Sequence, residues 1–227
     1  MRTLIYVPII HSKADMGSFG QALNNISVSA VEKNKLQKHN DTINGYWDAI
    51  ESWFENIDIS VKGIKIYQDG MFVDGEMAMK IIDEGVKSGS KNSVIVSKLI
   101  GRGAILIRTE DFNLVKSEYD ELQTILKSKT NIYKLFLLFR YNVLKPIFLI
   151  RRDKFITCRI AETLGQNETG ILFVGAFHNI RKRLPKDINV IELKEIAKIR
   201  KYQKSVQFDS KIEPLQLEQL TQYMINK

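Results

Sequence analysis

From residue 3 to residue 10 the chain reads Thr-Leu-Ile-Tyr-Val-Pro-Ile-Ile, a run without charge and rich in β-branched side chains. A strand with one face in water alternates polar and apolar residues. A run that does not alternate suits a strand covered on both faces, as in a parallel sheet flanked by helices. Residues 170–174, Gly-Ile-Leu-Phe-Val, have the same character. The two runs are therefore expected to lie adjacent, or nearly so, in one sheet.

Strand and helix patterns alternate through the rest of the chain. Residues 61–67 and 104–107 read as the second and third strands, 170–174 as the fourth and 188–193 as the fifth. Trp47, Ile50, Trp53 and Phe54 recur at helical spacing and predict a short helix, and residues 76–86 and 92–100 predict two more. Val115, Tyr119, Leu122 and Leu126 mark a further helix with Thr109 as its cap. Residues 12–45 have no clear period and read as loop with weak helix. Residues 131–164 predict one long helix or two, bent or broken at Pro146. The alternation argues for an α/β fold with a mainly parallel central sheet flanked by helices, and with a long helical stretch around 131–164. A single domain over 1–227 is expected, ending in a basic helical tail from about residue 194.

Composition narrows the chemistry. One cysteine in 227 residues, Cys158, excludes an internal disulfide or a CxxC zinc site and suits a reducing, cytoplasmic setting. Three histidines allow at most one or two His-centred sites. The net charge of +8 favours encounter with anionic partners, either a small molecule or a peptide. The chain start is not that of a signal peptide. Residues 132–150 are the most apolar stretch, but Lys134, Arg140, Lys145 and Pro146 interrupt it, so no membrane span is expected. Its apolar side chains fall on more than one face, which predicts a helix buried against the sheet or against a second copy in a homodimer.

Ligands of open α/β sheets bind beyond the carboxyl ends of the strands. The first strand is followed by His11 and Asp15, the second by Gln68 and Asp69, the third by Thr109, Glu110 and Asp111, and the fourth by Gly175-Ala176-Phe177-His178. Two histidines thus sit at strand exits. His11 and His178 facing one crevice, with a carboxylate beside them, suit a divalent metal that activates water, or proton transfer without metal. Simpler readings stand beside these. Asp69-Gly70 fits a two-residue hairpin turn between 65–67 and 71–73, and Glu110 and Asp111 satisfy a helix N-terminus. His39 lies among polar residues and is expected to be solvated. The sequence has no Walker loop, dinucleotide fingerprint, HExxH or GxSxG.

A second functional reading rests on the basic C-terminal stretch, which includes Arg181, Lys182, Arg183, Lys194, Lys198 and Arg200 and would neutralise nucleic-acid phosphates. Asp187 with Glu192-Leu193-Lys194 faintly resembles the acid and lysine set of a PD-(D/E)xK nuclease.

Three pieces of the chain together resemble the TraB/PrgY–TIKI superfamily, related to erythromycin-esterase-like and ChaN-like folds. They are Pro8-Ile9-Ile10-His11, then Arg152-Asp153 opening a long helix, then residues 171–178 ending in Gly175-Ala176-Phe177-His178. Pro8 stands where the family carries Gly. The family's acid after the second strand has Asp69 as its candidate, or Glu110 one strand later. The resemblance implies an α/β fold with a site on His11 and His178, and some members are metal-dependent peptidases while others are esterases. The expectation is a hydrolase of a small molecule or peptide. His11 and His178 would hold a divalent metal or share proton transfer, Glu110 (or Asp69) would complete the site, and Arg152 would bind a substrate anion. The alternative is a binding or signalling module that keeps the crevice without the chemistry.

Overall fold

The structure is a computed structural model that describes residues 1–10, 30–57, 59–207 and 212–226. Five strands form one parallel sheet: β1 (Arg2–Ile9), β2 (Lys65–Gln68), β3 (Ile105–Ile107), β4 (Thr169–Gly175) and β5 (Ile188–Glu192). Their order across the sheet is β3-β2-β4-β1-β5, with every neighbouring pair parallel. The two apolar runs are indeed neighbours, Leu4 opposite Gly170 and Val7 opposite Phe173.

The lack of alternation in these strands has the expected cause. Ile5, Val7, Ile9, Ile66, Ile171 and Phe173 point into one core, while Leu4, Tyr6, Tyr67, Leu172 and Val174 point into another. Successive side chains take opposite faces. On the first face lie α1 (Ala30–Asn56), α2 (Gly75–Lys87), α3 (Lys91–Gly101), α6 (Ile196–Gln207) and α7 (Pro214–Ile225). On the second lies the C-terminal third of α5 (Asn131–Thr163), through Ile156 and Ile160. The remaining helix, α4 (Phe112–Lys127), runs antiparallel to the first part of α5.

Several local expectations change. The helix expected around Trp47 begins by Ala30 and is 27 residues long, because Ile43, Tyr46, Trp47, Ile50 and Phe54 form one buried stripe. Residues 71–73 are not a strand: Asp69-Gly70 is a turn that sends the chain away from β2, with Gly70 at φ +76°, and no hairpin forms. The cap of α4 is Asp111, whose side chain accepts from the Leu114 N–H, and not Thr109. Thr109 instead holds two strand exits together, accepting from the Gln68 N–H and donating to the Ile107 carbonyl. Helix α5 continues through Pro146. The carbonyl that Pro146 leaves without its helical partner belongs to Asn142, which lies on the exposed side of the helix.

Pro8 is tolerated inside a central strand because β5 pairs with β1 only as far as Tyr6. Beyond that point no strand among the described residues pairs with β1 on this side, and the Pro8 carbonyl accepts from the Tyr46 hydroxyl. At the opposite end of β1, Arg2 ties three elements. Its Nη1 donates to the carbonyls of Ala161 and Leu164 at the end of α5, while Nε and Nη2 grip Asp187 ahead of β5. Helix-end carbonyls lack intrahelical partners, so the guanidinium supplies them.

Among the described residues no helix is long and apolar enough to cross a membrane. The first part of α5 is helical as expected but is not buried: Ile132, Leu135, Phe136, Phe139 and Val143 are exposed.

Replacing Arg2 by Met keeps the apolar stem and leaves those two carbonyls unpaired, at a cost of about 1–3 kcal/mol in urea unfolding. Asp187→Asn removes only a half-exposed partner and costs less. A larger loss in the Asp187 variant would show that the exposed pair, and not the helix-end carbonyls, secures β1.

Candidate active site

Strands β2 and β4 are hydrogen-bonded neighbours, yet the chain leaves β2 toward β3 and leaves β4 toward β5. Connections that part in this way open a crevice at the carboxyl edge, where ligands of such sheets bind. Asp69 follows β2, Glu110 follows β3 and His178 follows β4, while α5 brings Arg152 and Asp153 across their ends.

The pieces meet in one network. His178 Nδ1 lies 2.6 Å from Asp153 Oδ1, and Asp153 Oδ2 accepts from the Asn179 N–H at 2.9 Å. With Nδ1 engaged by Asp153, the ring turns Nε2 toward Asp69, 3.6 Å from Oδ2. That same Oδ2 accepts from the Gly175 N–H. Arg152 joins the other carboxylates. Its Nη2 donates to Asp69 at 2.6 Å and Glu110 at 2.7 Å, its Nη1 to Glu118 at 2.8 Å, and its Nε to Glu110 at 3.1 Å. Arg200 donates to the carbonyls of Ala176 and His178 and so fixes the loop that carries the imidazole.

These groups are deeply placed: Glu110 and Asp153 are almost without solvent contact, and His178 is 6% exposed. Burial pushes the Glu110 carboxyl up to about 7, against the pull of Arg152. For His178 burial works downward, but the Asp69 charge and the bond to Asp153 outweigh it, and its pKa is raised. Two groups whose pKa values are raised thus stand together at the carboxyl edge. Burial, with the charges of Asp69 and Asp153 added, also keeps the Tyr6 hydroxyl protonated, and no described residue accepts from it.

Of the residues expected at the site, Asp69, Glu110, Arg152 and His178 converge. His11 lies outside the described residues, as does Asp15. Glu110 is not in the first turn of α4; it faces Arg152 from below the helix start. Arg152 is not poised for a substrate anion, because all three of its nitrogens engage protein carboxylates. Nor does the Arg152-Asp153 pair open its helix; it lies well past the middle of α5. Asp153 and Glu118 had not been singled out as site residues. Asp153 had a signal, since it shares one helical face with Ile156, Thr157 and Ile160, and a lone acid on a buried stripe requires a partner. Glu118 had none.

Of the histidine pair expected to hold a metal, only His178 falls among the described side chains. Among them no group of three or more His, Cys, Asp or Glu is arranged to hold an ion, and the carboxylates already accept from Arg152 and backbone N–H groups. His39 is not solvated: it is half-buried, stacked on Tyr202 and bonded to its hydroxyl. In the basic C-terminal stretch Arg181 pairs with Glu192, Lys198 with Glu195, and Lys194 donates to the carbonyls of Tyr223 and Asn226. Asp187 and Glu192 lie at opposite ends of β5, so the nuclease-like set does not converge.

No protein-family model, curated protein or solved structure matches the chain.

The raised values give a signed pH dependence. Glu110 binds a proton in the folded state that the unfolded chain releases near 4.5, so its contribution is full below that pH and is lost as the pH rises through about 7. His178 acts in the same sense above its ordinary value of 6.5. The melting temperature is expected to fall from pH 5 to pH 8, and to fall less in Glu110→Gln, which carries no titrating proton. Equal slopes in the two proteins would show that Glu110 is ionised throughout.

Proposed function

We propose that the protein is a hydrolase whose proton-transfer group is the His178–Asp153 pair. The observation that carries this reading is the short bond between His178 Nδ1 and Asp153, with the second carboxylate oxygen fixed by the Asn179 N–H. A carboxylate placed so sets the imidazole tautomer and steadies the imidazolium that forms when Nε2 takes a proton from water. Glu110, with a pKa near neutrality, is the proton donor to the leaving group. Arg152 orients Asp69 and Glu110, and Asp69 faces the substrate beside Nε2. The substrate class is an ester or amide of a small molecule or peptide.

Two considerations support the reading. A cluster of six titratable groups, of which Glu110, Asp153 and His178 are buried, is costly to desolvate and is poorly explained by stability alone, since apolar packing of the same volume is often at least as stable. Perturbed titrating groups in a crevice at a strand edge are also the common mark of a working site. The resemblance to the TraB/PrgY–TIKI superfamily is compatible with it, because its Arg152-Asp153 and Gly175-x-x-His178 pieces are the ones that meet.

A binding module without turnover is the second reading. It is favoured by the near-complete engagement of Arg152 and the slight exposure of His178.

The test is hydrolysis of a panel of activated esters, amides and phosphoesters. The wild-type chain is expected to turn over at least one, and His178→Asn and Asp153→Asn to lose roughly a hundredfold or more in kcat, the size of a general acid–base contribution. The Glu110→Gln variant should lose the alkaline limb of the pH profile. A panel without turnover, or turnover indifferent to His178, overturns the hydrolase reading; thermal stabilisation by a compound that is not consumed would then select the binding module.

A further inference from the structure

Helix α5 changes character at Asp153. From there to Thr163 it packs on the sheet through Ile156 and Ile160, whereas from Asn131 to Arg152 it extends past the carboxyl edge with α4 as its main neighbour. That hairpin is held from within by buried Leu137, by Tyr141 donating to Glu118 and by Arg140 paired with Glu121. Its outer face is apolar. Ile132, Phe136, Phe139, Val143, Ile147 and Ile150 recur at intervals of three or four residues and form one stripe about 27 Å long. Ile132 is 87% exposed, Phe139 69% and Phe136 59%. A continuous apolar stripe of this length in water marks a surface that meets something.

The charges around the stripe say what. Residues 122–152 contain no acid. Lys127 and Lys129 stand exposed at the tip of the hairpin, and Arg151 and Lys154 stand exposed at the root, so cations bracket the stripe at both ends. A second copy laid on this face, parallel or antiparallel, would set cation against cation. An anionic bilayer surface satisfies both parts at once, taking the stripe to the boundary between headgroups and acyl chains and the cations to the lipid phosphates. The arm would lie on such a surface, since no helix among the described residues is apolar enough to cross it.

We propose that the α4–α5 hairpin docks this protein on an anionic lipid surface through the stripe from Ile132 to Ile150 and the cations at its two ends. The inference is independent of the chemistry proposed for the crevice. Binding is measured by cosedimentation of the full chain with vesicles of phosphatidylcholine alone or mixed with phosphatidylglycerol. Binding is expected to the mixed vesicles and to weaken as salt is added. The double variant Phe136→Ser/Phe139→Ser should lose tenfold or more in partitioning with an unchanged melting temperature, because both rings are exposed. Arg151→Gln and Lys154→Gln should each lose about fivefold, and only on the anionic vesicles. Absence of vesicle binding, or equal binding to both lipid compositions, overturns the proposal. So does self-association in solution that the double variant abolishes, which would assign the stripe to a second copy of the chain.

Discussion

The edge of the sheet is organised by two consecutive residues of one helix. Arg152 draws the carboxylates of Asp69, Glu110 and Glu118 to itself, and Asp153 takes His178 and the Asn179 N–H. Through them α5 grips the exits of β2, β3 and β4 and the flank of α4. Glu110 is fully buried against that guanidinium, and burial, with the Asp69 charge added, raises its pKa to about 7 despite the pull of Arg152. A proton held near neutrality at the carboxyl edge therefore follows from how the helix is anchored.

That anchoring relies on the two-sided sheet. The strands bury side chains in both directions, so the exits of β2 and β4 are fixed with respect to each other by the cores beneath them. Small tethers refine the positions. Thr109 joins the exits of β2 and β3, Gly175 N–H binds Asp69, and Arg200 clamps the loop that carries His178. At the other end of α5, Arg2 closes the helix on β1 and β5. One helix thus links the amino edge, the carboxyl edge and the projecting hairpin, and the root of the lipid-docking arm proposed above lies beside the candidate site.

The anchoring also explains why α5 divides. Where it crosses the sheet, its buried face carries Asp153, Ile156, Thr157 and Ile160. Where it has only α4 beside it, one narrow face is enough to hold the pair together, and the remaining apolar residues stay outside. Apolar content on several faces of a helix suits burial. The same content fits a helix with one neighbour and a second, outward contact.

Much of the fold was written in the sequence. Unbroken apolar runs at residues 3–10 and 170–174 required strands covered on both faces, and the alternation with helical periods required a parallel sheet. The strand exits then put Asp69, Glu110 and His178 at the carboxyl edge. Local pattern could not give what those residues face. Asp69-Gly70 has the composition of a hairpin turn, and Glu110-Asp111 that of a helix start; the difference lies in Arg152, distant by 83 and 42 residues. Which segments are strands, and which residues follow them, is legible from spacing alone, because periodicity is a local property of a chain. Only the tertiary structure decided that Arg152 holds carboxylates, that Asp153 orients His178 and that the first part of α5 stands clear of the core, because partners of a buried charge are chosen by strand order and not by spacing along the chain.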